Sequence, residues 1–199
     1  MNRRLLERLR GDHAAQIVEF AVSLPLLVVF VVGIFDFSGA FTLKQKLANA
    51  ARDAARVAAA DPAGDLSNGG TPASVSDAFQ VMENYIKANN INDCGITPPP
   101  VLTPPMTWTY SATANGCPGT GITLTINRGY YFPQGSTVLP GTNCAPQASA
   151  GQVTVIATCV SIQYSYQWKF NRVIGLLVRG ATSAATSTIN TTSVAINEN

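Results

Sequence analysis

Residues 16–41, QIVEFAVSLPLLVVFVVGIFDFSGAF, constrain this chain more than any other stretch. From Phe20 to Phe35 no side chain is charged, and the run through Phe41 is long enough to cross about 30 Å of hydrocarbon as a helix. Arg3, Arg4, Arg8 and Arg10 precede it, which predicts a cytoplasmic N-terminus and export of everything beyond about Phe41. A secretory signal peptide is the rival reading, with FSGAF as its cleavage site. The apolar region of such a peptide spans about 7–15 residues, whereas here the helical pattern continues without a break. Two acids bracket the run. A carboxylate alone in hydrocarbon is costly, so Glu19 and Asp36 each need an account. Asp36 lies about 25 Å beyond Glu19 along a helix, which places it at the exoplasmic interface with no chemistry assigned. Pro25 lacks an N–H and crowds the carbonyl of Ala21, which predicts a kink or local unwinding. Gly33 is expected to let the span flex or pack closely against a neighbour.

The sequence then reads TLKQKLANAARDAARVAAADP. Alanine is the best helix former, and no Gly or Pro occurs between Phe41 and Pro62. Leu43, Leu47, Ala50, Ala51, Ala54, Val57 and Ala58 recur at three- and four-residue steps, with Lys44, Arg52 and Arg56 largely on other faces. Residues 13–60 are therefore expected to form one rod of about 70 Å, apolar all round in its first half and on one side in its second. DPAGDLSNGGTP ends it. Asp61 and Asp65 in that loop are read as an ordinary turn rather than a calcium site.

A second helix is predicted over 72–88, with Thr71 as its cap, Pro72 in its first turn and a buried stripe of Val75, Phe79, Met82 and Ile86. CGITPPPVLTPP follows as an extended linker, too proline-rich for a central strand. Beyond it the pattern is β. MTWTYSA, GITLTIN and GYYFP read as short strands, and QVTVIATCVSIQYSYQW as the strongest one. ATSAATSTINTTSVAI reads as a polar edge strand paired with it. The apolar island WKFNRVIGLLVRG between the last two is either a short core helix or a hairpin tip that touches the membrane. The fold class is thus α+β: a long N-terminal transmembrane and amphipathic helix, then a short helix and an antiparallel sheet.

Four cysteines, Cys94, Cys117, Cys144 and Cys159, lie beyond the span, separated by 22, 26 and 14 residues. These spacings match no zinc-site pattern, and an exported location suits two disulfides with three possible connectivities. Cys94–Cys117 with Cys144–Cys159 is the preferred pairing because each closes a local loop; four buried thiols are the alternative.

Several function classes are excluded or disfavoured. From Asp61 onward five Lys/Arg face six Asp/Glu, a net of about −1, so no basic stripe exists for nucleic acid. The single histidine, His13, precedes the span, and no nucleophile elbow, zinc-protease or phosphate-loop motif occurs. The chain is read as non-enzymatic, with no cofactor and no metal.

The segment AQIVEFAVSLPLLVVFVVGIFDFSGAFTLKQKLANAARDAARVAA resembles the N-terminal module of TadE-like proteins, the minor pseudopilins of tight-adherence (type IVc) pili. The small-residue approach to VEFA, the following LP, the GIFDF exit and the NAARDAARVAA helix carry the resemblance over residues 14–60. A looser likeness covers about 160–196. The resemblance implies a pilin-like head over 61–199, a cytoplasmic leader over 1–14 and a membrane helix over 15–60. It implies cutting by a prepilin peptidase between Ala14 and Ala15, which makes Glu19 the fifth mature residue; the family pattern has Gly where Ala14 stands. It further implies assembly of the helix around Glu19, Phe20 and Pro25 with other pilins or pseudopilins and with assembly-platform proteins. Before assembly the helix is stored in the lipid of the inner membrane. Glu19 would then neutralise the Ala15 amine of a neighbour; the alternative is a solvated acid at headgroup level. The competing functions are a pseudopilin of a type II-like secretion system and an uncut, membrane-anchored binding or adhesive domain.

Overall fold

A computed structural model describes residues 12–62, 64, 66, 70–133, 143–145, 153–169 and 186–198. The chain is α+β: two helices, α1 (Asp12–Ala60) and α2 (Ala73–Ala88), and five strands. The strands are β1 (Val101–Thr103), β2 (Thr107–Ala112), β3 (Ile122–Pro133), β4 (Val153–Gln167) and β5 (Thr186–Ile196). They form one antiparallel sheet in sequence order. The chain divides into two compact units. Among the described residues one comprises 12–40 with Trp168 and Lys169, and the other comprises 41–133, 143–145, 153–167 and 186–198.

In the first unit, every described side chain from Gln16 to Val28 is exposed. Gln16–Ala60 is a candidate membrane span by length and composition. The unwinding expected at Pro25 does not occur, because the helix runs through it without interruption. The carbonyl freed at Ala21 leaves a single turn short of one bond, and the turns on either side keep theirs.

The second unit is built on alanine. Leu47, Ala50, Ala51, Ala54, Ala55 and Ala58 of α1 are fully buried, while Val57 is half-buried. They join Val75, Phe79, Met82 and Ile86 of α2 and one face of the sheet in a single core. Small side chains let the α1 backbone approach its neighbours closely, so the stripe acts through contact area rather than bulk. On the sheet, Trp108 and Tyr110, then Ile122, Leu124 and Ile126, then Val160, Ile162 and Tyr164 alternate onto this face. Phe79 and Tyr110 stack with ring centroids 4.4 Å apart. A smaller cluster of Tyr130, Cys144, Ala157 and Cys159 packs with Val194.

Three expectations are corrected. Thr71 does not cap α2. Pro72 holds that position in an extended conformation, with no side-chain cap, and its carbonyl accepts the N–H groups of Val75 and Ser76 at 3.1 Å. The proline-rich linker includes a strand, the three-residue β1, which pairs with β2 at the sheet edge, the one place where flanking prolines are tolerated. GITLTIN and GYYFP are one strand rather than two. Between Asn127 and Tyr130 β3 advances three residues while β4 advances two, so the Arg–Gly punctuation is a β-bulge. The polar strand at the C-terminal end does pair with β4 as an edge. Of the island WKFNRVIGLLVRG only Trp168 and Lys169 belong to the described residues; the choice between core helix and hairpin tip lies outside them.

Candidate functional site

The apolar segment of α1 presents a helical surface with little protein on it. Ile17, Phe20, Val22, Phe30, Ile34 and Phe35 are each at least 64% exposed, more contiguous apolar surface than a water-facing helix tolerates. Glu19, Phe20 and Pro25 lie on this exposed stretch, and Ala14 and Ala15 fall in the first turns of the same helix. The helix therefore brings the residues expected for processing and for assembly into one short segment. Ser23 donates its hydroxyl to the Phe20 carbonyl at 3.3 Å, which satisfies that polar group within the helix.

Asp36 differs from Glu19. It is only 5% exposed, in a segment where its neighbours Phe35 and Phe37 are exposed. It lines an apolar cavity of about 680 Å³ with Val29, Phe30, Gly33, Ile34, Phe37 and Trp168. The Trp168 ring lies against Phe37, centroids 5.0 Å apart and inclined by 55°. Gly33, one turn before Phe37, supplies no side chain to fill that space. The sequence placed Asp36 at the end of the apolar run; Trp168, which lines the same cavity, lies more than a hundred positions away.

In the second unit the sequence reading missed the central polar residue, Arg128. It is fully buried. The bulge turns its side chain toward the C-terminal end of α1, where its guanidinium donates to the carbonyls of Ala58 and Asp61, the latter at 2.9 Å. It also donates to Thr158 Oγ1 at 2.8 Å and to Asn197 Oδ1 at 3.4 Å. Thr158 donates in turn to Asn197 Oδ1 at 2.6 Å, and the Glu198 N–H reaches the Ala59 carbonyl at 3.4 Å. The last carbonyls of a helix lack intrahelical donors and carry partial negative charge, so a buried cation satisfies both needs at once. One local signal could have found it: Arg128 is the one charged residue of β3 and stands directly before Gly129.

The cysteines are paired as expected, Cys94–Cys117 and Cys144–Cys159, with Cα–Cα distances of 5.4 and 5.5 Å. Local hydrogen bonds shape the first loop. Asn92 Oδ1 accepts the Cys94 N–H, and Asp93 Oδ1 accepts the Gly95 N–H, both at 2.9 Å. They hold Cys94 at a left-handed φ of 57°, and its carbonyl accepts the Ala114 N–H at 2.9 Å. In the second loop the Asn127 amide donates to the carbonyls of Cys144 and Ala145 at 3.3 and 3.2 Å. Among the described residues no group of three or more His, Cys, Asp or Glu side chains is placed to hold a metal ion.

A family model described as TadE-like protein matches residues 14–56. The match begins at the expected cleavage position, covers the exposed apolar surface and Glu19, and ends within the buried alanine stripe. No curated protein and no solved structure matches the chain.

Proposed function

We propose that this chain is a structural, non-enzymatic minor pilin of a tight-adherence (type IVc) pilus. The observation that carries the reading is the coincidence of the TadE-like match with the helix whose large apolar side chains are left exposed. Such a surface is satisfied by hydrocarbon while the subunit is stored and by neighbouring helices once it is assembled. In this reading the N-terminus is cytoplasmic, residues 16–41 cross the inner membrane, and the disulfide-bonded sheet unit is exported. Its partners are other pilins and the assembly platform.

Assembly gives Glu19 its task. A prepilin peptidase cuts between Ala14 and Ala15, and the new amine of Ala15 enters an apolar bundle as a positive charge. Burial of an isolated ion costs several kcal/mol, and a paired carboxylate offsets much of that cost. Glu19 of the adjacent subunit is the counter-charge. Glu19→Gln keeps the shape and removes the charge, so the variant should insert normally and fold its sheet unit. Its cross-linking to assembly components should fall to background. Wild-type cross-linking by the variant would reduce Glu19 to an interfacial acid.

Ala14, standing where the family pattern has Gly, favours a second reading in which the leader is retained and the chain is a membrane-anchored binding domain. N-terminal mass determination of membrane-extracted protein separates the two. A chain starting at Ala15 supports the pilin, and an intact leader supports the anchor.

A further inference from the structure

Trp168 and Lys169 follow directly on β4, yet they group with the apolar segment of α1 and not with the sheet unit. The Trp168 ring lies against Phe37, with centroids 5.0 Å apart. That contact leaves most of Phe37 uncovered. It is 69% exposed, and Phe30 and Ile34, which precede it at helical spacing on the same face, are 64% and 69% exposed. Trp168 itself is half-buried and Lys169 is exposed. A half-buried ring beside a largely exposed one shares its surroundings, so whatever medium covers Phe37 also meets Trp168.

Position along the helix says which medium that is. Phe37 stands 18 residues beyond Glu19, about 27 Å along the axis, and the hydrocarbon core of a bilayer is about 30 Å thick. With Glu19 at the inner headgroups, Phe37 comes to the boundary between the acyl chains and the outer headgroups. The charges agree with that depth. After Glu19 the next charged residues are Asp36 and then Lys44, so Phe37 lies between the end of the uncharged run and the first cation beyond it. Tryptophan concentrates at this boundary, because its apolar body and its polar N–H suit the two sides of it. Lys169, one residue further, has a stem long enough to lie along apolar surface while its ammonium reaches the phosphates.

We propose that Trp168 is an interfacial anchor whose ring sits in the outer leaflet, at the acyl-chain and headgroup boundary, beside Phe37. The chain then touches the membrane a second time, 131 residues after Phe37, at the point where β4 ends. Lipid is the better cover for this face in the stored subunit. Helices that pack closely within a membrane meet through small residues, and this face carries Phe30, Ile34 and Phe37. The inference rests on the reading that residues 16–41 cross the membrane, and it is independent of the role given to Glu19.

The test uses the full-length chain in phosphatidylcholine vesicles whose acyl chains carry bromine, a short-range quencher of indole fluorescence, either near the headgroup or near the chain end. The chain has two tryptophans, and Trp108 is buried in the core of the sheet unit at 2% exposure. The difference between the wild type and Trp168→Phe isolates the signal of Trp168. Trp108→Phe, which leaves Trp168 alone, reads the same signal by a second route. Bromine near the headgroup should quench Trp168 at least about twofold more than bromine near the chain end. Equal quenching from both depths, or stronger quenching from the chain end, overturns the proposal. So does an unquenched Trp168 in a chain that the vesicles retain, because protein, a neighbouring copy included, then covers the ring. That result would leave the membrane reading intact. A chain that the vesicles do not retain would overturn the membrane reading and the anchor with it.

Discussion

One helix, α1, contains two regions that handle apolar surface in opposite ways. Along residues 17–41 the apolar side chains are large, Phe, Ile, Leu and Val, and nearly all are exposed. Along residues 47–59 they are mostly alanine and are buried. Side-chain size therefore reports what each region meets. In the proposed reading, bulky groups maximise apolar surface toward a medium that adapts its shape, as hydrocarbon and neighbouring helices do. Alanines minimise the gap to a surface that does not adapt, the closely packed face of a sheet. The two regions share a backbone and a helical periodicity, and they differ in what a substitution will cost.

The largest expected effect breaks the comparison at the buried end. Arg128→Met removes the donor shared by the Ala58 and Asp61 carbonyls and leaves a buried and a half-buried acceptor short of a partner. The sheet unit should lose roughly 2–5 kcal/mol, measured by denaturant unfolding in detergent. Membrane insertion of the first region should be unchanged. Equal loss of insertion would mean that the two regions are not separable.

A matched pair of substitutions sharpens the contrast. Ala54→Leu adds volume to a fully packed site and should cost about 1–3 kcal/mol. Val28→Leu adds a methylene to an exposed position and should stay within about 0.5 kcal/mol. Unfolding midpoints of the two variants, measured side by side, check this. Equal effects would remove the distinction drawn from side-chain size.

The smallest effect is confined to alkaline pH and to the sheet unit. Burial pushes the Tyr110 hydroxyl up to about 12, whereas an unfolded tyrosine ionises near 10. A folded-state value above the unfolded one contributes stability that is complete below about pH 10 and is lost as pH rises toward 12. Tyr110→Phe should therefore flatten part of the stability decline in that window and change little at pH 7. A decline of unaltered slope would show that Tyr110 does not contribute to it.

Much of this molecule is local and was legible in the sequence. The apolar run, the alanine periodicity, the stripe of Val75, Phe79, Met82 and Ile86, and the alternation in β4 each depend on residues a few positions apart. Neighbour spacing alone dictates which face they share. The disulfide pairing was also accessible, since both bridges close short loops. What remained hidden depended on the partner rather than on the residue. Thr71 looked like a cap, but the proline next to it took the terminal position.

From the sequence by itself came an apolar helix long enough to span a membrane, an α+β class, two disulfides and a motif around Glu19. Only the tertiary structure decided that Arg–Gly in β3 is a bulge and that it aims Arg128 at a helix end 70 residues earlier in the chain. The burial of Asp36 became visible in the same way. Hydrophobic periodicity is a property of consecutive residues, whereas the worth of a lone cation, an acid or a strand edge is set by what faces it, and that is known only once distant segments have met.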